Sequence, residues 1–299
     1  MTGPEVMLAS PTKGAPEQAL AALEREGGWW AEVKLDGVRA VLSRQADGTV
    51  TITNRRMADI THRYPDVVSV WAQLDFTGVL DGEIIVMRDG RPNFEGAHRR
   101  DAQSTPGKIR AAMAKDPATF VPFDILIDRE RDVRTLPYTQ RRMIMMNREI
   151  PGLSLASQDT ATMWAFVVEN NLEGLVAKRG DSPYRAGRHG SWRKLKHTKR
   201  ISALVGALVP GRGSRGPVGA LVLYLFDPDA GRLVGIGNVG SGLSGASLRM
   251  LSQRIGAGQP TVVEVEYLEV SSSGQLRMPV FKFINTEADP ADCTLDQLE

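Results

Sequence analysis

Lys34 closes the apolar/polar alternating run Trp30-Ala-Glu-Val-Lys34, is followed by the turn-forming pair Asp36-Gly37, and has a cation, Arg39, two residues further on. A lysine placed in this way can attack a phosphorus atom, provided that it loses its proton and that cations hold the phosphates. The ordinary lysine pKa, about 10.4, leaves the amine protonated at neutral pH. Nearby cations or desolvation lower that value, which is how lysines become covalent catalysts. Arg39, Lys178, Lys194, Lys196 and a bound divalent ion are the candidates here. A surface lysine on an edge strand would give the same local pattern, so the rest of the sequence has to decide.

Further motifs follow in order. Arg55 comes just after an apolar strand, within Asn54-Arg-Arg-Met-Ala-Asp-Ile-Thr61. Asp81-Gly82-Glu83 closes one strand and opens the next, so it can aim a carboxylate into a shared cleft. Phe123-Asp124 lies in the strand at 120–127. Glu173-Gly-Leu-Val-Ala-Lys178 places an acid at one end of a buried strand and a lysine at the other. Trp192-Arg-Lys194-Leu-Lys196 presents two lysines on one face by strand alternation. Each residue also has an ordinary reading: Phe123 as core, the lysines as solvated cations, Glu83 and Glu173 as strand-end acids paired with arginines. The ordered recurrence of all of them outweighs those readings.

The elements that must hold these residues are legible from period and punctuation. Strands are expected at 29–34, 38–43 and 49–53, a helix at 64–74, and a strand pair over 78–88 interrupted at Asp81-Gly82. A helix containing 110–115 ends before Pro117, and 119–128 is a strong apolar strand. Helices follow at 139–150, with Arg141 and Arg142 on the polar side, and at 160–171. A short buried strand spans 174–179. After the basic run the texture changes to short β segments at 203–210, 220–227, 233–238 and 262–270, with one helix at 247–255, which suits a small OB-type barrel. The fold class is α+β: a first domain over 1–200 with antiparallel sheets and flanking helices, then a barrel domain over 201–299. Gly235-Ile-Gly237-Asn-Val-Gly240 matches a dinucleotide fingerprint, but no repeated βαβ pattern surrounds it, so a Rossmann unit is rejected.

Composition narrows the class. A chain of 299 residues with 42% hydrophobic content suits two ordinary cores. No segment approaches the roughly 20 apolar residues of a membrane helix, and the N-terminus lacks a signal-peptide pattern. Cys293, the sole cysteine, excludes an internal disulfide framework and a four-cysteine zinc site, and a reducing, cytoplasmic compartment fits. The net charge is only +2, yet the stretch from Arg185 to Arg200 is dense in Lys and Arg with no acid. His98-Arg99-Arg100, with Lys108 and Arg110, forms a second basic patch. Such patches suit triphosphate and nucleic-acid backbone.

The ordered set of motifs resembles the covalent nucleotidyltransferases, and specifically the ATP-dependent DNA ligases, over nearly the whole chain. The resemblance implies a nucleotidyltransferase (adenylation) domain followed by an OB-fold domain. It implies that Lys34 takes AMP from ATP, that Glu32 contacts the adenine amino group, that Arg39 and Glu83 hold the ribose and its surroundings, and that Phe123 stacks on the purine. Arg55 would meet phosphate, and Lys178, Lys194 and Lys196 would grip the α-phosphate. Glu83 and Glu173 would hold the divalent metal, Mg²⁺ or Mn²⁺. The implied partner is nicked double-stranded DNA, bound by a monomeric, bacterial or phage-encoded enzyme of minimal two-domain form, with no membrane association. Two positions depart from the family pattern: Met57 replaces a usual glycine, and Asn285-Thr-Glu287-Ala288 stands where a basic Arg-x-Asp-Lys element usually follows Leu276-Arg277-Met-Pro279-Val-Phe281. Arg277 and Lys282 are the cations that would substitute. An RNA ligase or an mRNA capping guanylyltransferase is the alternative, and a non-catalytic nucleic-acid-binding module is the reading from another class.

Overall fold

The computed structural model describes residues 5–12, 14–211 and 218–298, and the chain divides into two compact units, Met1–His197 and Thr198–Glu299. The strands of the first unit are β1 (Met7–Pro11), β2 (Trp29–Val33), β3 (Val38–Arg44), β4 (Val50–Asn54), β5 (Gly78–Arg88), β6 (Arg91–Pro92), β7 (Ala118–Asp128), β8 (Arg131–Asp132), β9 (Ala156–Ser157), β10 (Gly174–Arg179) and β11 (Gly187–Lys196). Its helices are α1 (Pro16–Glu26), α2 (Pro65–Ala72), α3 (Phe94–Asp101), α4 (Pro106–Lys115), α5 (Tyr138–Asn147) and α6 (Thr160–Glu169). One sheet has the order β1-β11-β10-β2-β9 and the other β4-β3-β5-β7-β8, with β6 paired to β5. All pairings are antiparallel except β1 with β11.

Alternation decides what each strand offers to each side. On β3, Ala40 and Leu42 join the main core with Ile52, Leu80, Ile84 and Phe120, against Val67 and Trp71 of α2 and Met145 of α5. A fully buried leucine or isoleucine in that core contributes about 2 kcal/mol. The intervening positions look the other way. Val41 joins Met7, Leu126, Tyr184 and Trp192 in a smaller cluster, in which residues of both sheets meet. The Lys34 cleft opens beside this cluster.

Two expectations fail here for physical reasons. The break expected at Asp81-Gly82 is absent, and β5 runs unbroken because Gly82 leaves room for a ring: a Cβ there would stand 2.5 Å from Phe120 Cε2. Arg141 is not on a polar face. It is fully buried, with Nε 2.7 Å from Asp124 Oδ1 and Nη2 2.9 Å from Oδ2.

In the second unit, β12 (Lys199–Pro210), β13 (Val218–Asp227), β14 (Arg232–Val239), β15 (Val262–Tyr267) and β18 (Val280–Ile284) form one antiparallel sheet in the order β14-β13-β12-β15-β18. A two-stranded piece pairs β16 (Glu269–Val270) with β17 (Leu276–Arg277), and α7 (Gly245–Gly256) supplies Leu251 to the core of Leu221, Leu223, Ile236 and Val263. Five antiparallel strands and one helix make the OB-type barrel. Gly235 and Gly237 lie inside β14, and Ser244 and Ser247 cap α7 reciprocally. The fingerprint therefore has no parallel βαβ unit to serve.

Candidate active site

Three rows of paired residues run across the first sheet. Trp30, Lys178 and Trp192 form one row, and Glu32, Val176 and Lys194 the next. In the third, the Lys34 N–H donates to Gly174 O at 2.8 Å, and Gly174 pairs with Lys196. The period of two puts Glu32 and Lys34, Lys178, and Trp192, Lys194 and Lys196 on one face. Gly174 has to be glycine: its φ is +147°, and a Cβ would stand 2.0 Å from Leu195 O. Opposite, Arg39 pairs with Glu83 and Val41 with Asp81 across β3 and β5. The register between β5 and β7 slips at Asp81/Gly82, where Asp81 opposes Asp124 and Gly82 opposes Pro122. Phe123 is the extra residue of that bulge, a device that re-aims a side chain.

Glu32, Lys34, Arg39, Arg55, Glu83, Phe123, Lys178 and Lys194 consequently line one cleft of about 190 Å³. Leu8, Ala9, Arg188 and Trp192 line it as well. Glu173 and Lys196 are not among the lining residues, and Glu173 bridges Lys34 and Lys196. Glu173 Oε2 lies 2.5 Å from Lys34 Nζ, and its Oε1 lies 3.4 Å from Lys196 Nζ.

Glu32 is held more tightly than a free ligand contact would be. Its carboxylate accepts from Tyr138 Oη at 2.5 Å and Ser154 Oγ at 2.7 Å, and Lys178 Nζ lies 2.7 Å away. Lys178 also donates to Phe123 O at 2.7 Å and sits 4.6 Å from the Phe123 ring centre. Burial depresses its pKa. Arg39 stacks 4.6 Å from the same ring centre and binds Asp81 through Nε and Nη2, both at 2.6 Å. Phe123 is thus already packed with two cations. Burial, then the charges of Lys196, Lys34 and Arg188, lower the pKa of Lys194.

Burial pushes the Glu83 carboxyl up to about 8, with Arg39 and Lys34 opposing the shift and Glu173 and Asp81 adding to it. A carboxyl more easily protonated in the folded state stabilises the fold at low pH and loses that contribution as pH rises through its folded pKa. In metal-free protein, Glu83→Gln is therefore expected to melt at about the wild-type temperature near pH 5 and several degrees higher near pH 8.5. Equal melting differences at the two pH values would contradict this. The mutual repulsion of Glu83 and Glu173 is also what a divalent cation relieves. Few carboxylates plus phosphate oxygens are the donor set Mg²⁺ or Mn²⁺ takes, so the residues fit such an ion. Among the described residues no group of three or more His, Cys, Asp or Glu stands ready to hold a metal alone.

Arg55 sits in a turn built by Asn54, whose Oδ1 accepts from the N–H groups of Arg56 and Ala58 at 2.9 and 3.1 Å. Met57, in the position where a glycine is usual, has φ +62°, so a methionine bears the left-handed conformation that glycine adopts freely. The basic patches are only partly available. Arg100 is buried and lies 2.7 Å from Asp66, so it serves the fold instead of a polyanion, while the half-exposed Arg99 lies 3.0 Å from Asp116. Within the run from Arg185, Arg193 is paired with Glu26 at 2.8 Å, whereas Arg185 and Arg188 are exposed. Near the end of the chain, Arg277 and Lys282 are paired with Glu269 at 2.6 Å and Glu266 at 3.0 Å.

Sequence reasoning missed the residues that fix the named ones: Asp81, Tyr138, Ser154 and Tyr184. It also missed the lining contributed by Leu8 and Ala9. Asp81 stood inside a motif already read, directly after the apolar pair Val79-Leu80, and that was the available signal. Nothing local marks the others.

A lysine in a cleft of cations, on two sheets, with an OB-type unit following in the chain, fits a covalent nucleotidyltransferase architecture. Residues 6–196 match the family model described as the ATP dependent DNA ligase domain, and the chain belongs to that family. It is 32% identical over 252 residues to the multifunctional non-homologous end joining protein LigD of Pseudomonas aeruginosa, covering 81% of this chain and 29% of that protein. It is 34% identical over 240 residues to the "Probable DNA ligase" of Mycobacterium marinum, covering 76% and 46%. The crystal structure of the ligase domain from M. tuberculosis LigD superposes with a TM-score of 0.56 at 26% identity, covering 97% of each chain. The chain spans less than half the length of those two curated relatives. Among the described residues no helix is long and apolar enough to cross a membrane.

Proposed function

We propose that this chain seals nicks in duplex DNA with ATP, through AMP bonded to Lys34 and then to the DNA 5′-phosphate. The observation that carries the reading is one cleft in which Lys34 stands among Arg39, Arg55, Lys178, Arg188 and Lys194. Transfer to phosphorus needs an in-line nucleophile and cations over the non-bridging oxygens and the leaving group. Lys34 Nζ forms the bond to the α-phosphorus, and the bond to pyrophosphate breaks. The AMP passes to a 5′-phosphate, and the neighbouring 3′-hydroxyl displaces it. Glu32, fixed by Tyr138 and Ser154, presents an anchored acceptor to the adenine amino group, while Arg39 and Glu83 meet the ribose. Glu83 and Glu173 would hold Mg²⁺ or Mn²⁺, whose charge neutralises phosphate oxygens when it is bound. The work in the cell would be cytoplasmic DNA repair, replication or recombination.

The test is purified protein with labelled ATP or GTP, Mg²⁺, and singly nicked DNA or RNA duplexes. AMP on Lys34 and sealed DNA are expected. A GMP adduct with none from ATP, or sealing of RNA alone, would defeat the reading. Nick binding should also respond steeply to salt. If the exposed basic side chains around Arg185 and Arg188 neutralise about four phosphates, affinity should fall roughly 100-fold between 50 and 200 mM salt. A flat titration would remove the basic patch from DNA binding.

A further inference from the structure

Arg39 does not stand alone in the cleft. Its Nη2 donates to the Met7 carbonyl at 3.1 Å as well as to Asp81. Asp81, fully buried, also accepts from Tyr184 Oη at 2.6 Å. The same Tyr184 oxygen accepts from the Met7 N–H at 2.9 Å. The four groups close a ring: Met7 carbonyl, Arg39, Asp81, Tyr184, and back to the Met7 N–H. Tyr184 is fixed from behind, since its ring packs edge-on to Trp192 with centroids 5.7 Å apart and its N–H donates to Arg134 O at 2.8 Å. With Nε and Nη2 committed, Nη1 is the Arg39 nitrogen without a protein hydrogen bond among the described residues.

Resting on the reading that this cleft binds ATP, we infer that the Tyr184 hydroxyl is a positioning group for nucleotide binding, locking Arg39 between Asp81 and the first strand. Asp81 alone grips the guanidinium but leaves the plane of the pair free to tilt. The phenol fixes the second carboxylate oxygen, and the Met7 carbonyl fixes the guanidinium edge. Three anchors define a plane. Loss of the hydroxyl removes two of the ring's links at once while keeping the aromatic packing. Arg39 is expected to touch the nucleotide in ground and transition states alike, so the defect should fall on KM and spare kcat.

The experiment follows the rate of Lys34 adenylylation against ATP concentration in wild type, Tyr184→Phe, Arg39→Ala and the double variant. Tyr184→Phe should raise KM for ATP about tenfold with kcat within about threefold, and should add less than about twofold in the Arg39→Ala background, because the two act as one unit. A wild-type KM in folded Tyr184→Phe, or losses that multiply in the double variant, would overturn the inference. Melting curves accompany each rate. Should Tyr184→Phe melt below the assay temperature, Asp81→Asn, which keeps the shape and removes the charge, is judged by the same KM rise and the same coupling to Arg39. Failure of the ATP reading is distinguishable, since wild type would then take no AMP at all.

Discussion

Lys34→Ala protein incubated with ATP and Mg²⁺ is expected to carry no AMP by intact mass, and its sealing of nicked DNA to fall by at least about four orders of magnitude. The side chain is part-exposed, and Glu173 keeps Lys196 as a partner at 3.4 Å when the closer lysine is gone. The fold should therefore survive, with a melting temperature within about 3 °C of wild type, and DNA binding should persist. Sealing that continues in this variant, or an adduct that forms on another residue, would overturn the assignment of the nucleophile. Loss of activity together with a collapsed melting curve would leave unfolding as the explanation, so both measurements belong to the test.

Arg141→Met is expected to lower stability by about 3–5 kcal/mol, which is roughly 6–20 °C in melting temperature for a unit of this size. Both members of the Arg141–Asp124 pair are completely buried. Methionine fills much of the volume, but it takes the guanidinium partner away from the fully buried Asp124, whose Oδ1 keeps the Ile125 N–H at 2.9 Å. The same guanidinium also holds Ser182 O at 3.0 Å, two residues before Tyr184, so ATP affinity should weaken in parallel. Changing both partners to apolar residues should recover a large part of the loss, because the cost lies in the unpaired charge. A shift under about 2 °C in the single variant would show that Asp124 is neutralised by other means.

How far the sequence was legible depended on whether the signal was local. Lys34, Glu83, Lys178 and Lys194 meet because alternation along short strands places every second residue in the cleft, and alternation can be read from neighbours. Phe123 reaches the cleft through a bulge, which shows only once β5 and β7 are paired. β1 escaped notice because Met7–Pro11 is short, sits among alanines and prolines, and pairs with residues more than 170 positions away. α1 and α3 were missed, although Pro16 at the first turn of α1 and Asn93 capping α3 were both available as start signals. Arg141 and Arg100 were read as solvent-facing because charge usually is. Their partners Asp124 and Asp66 are distant in sequence, and no periodicity announces a buried ion pair.

The parallel seam between β1 and β11 has a consequence for biosynthesis. The residues of β1 leave the ribosome long before their complement, and the gap of 177 positions between Met7 and Tyr184 sets when they can be used. Closure over such a distance is a slow, late event in folding. A nascent chain halted before β11 would have made its lysine but not the wall of the proposed ATP cleft, so partial translation products should be inert toward nucleotide.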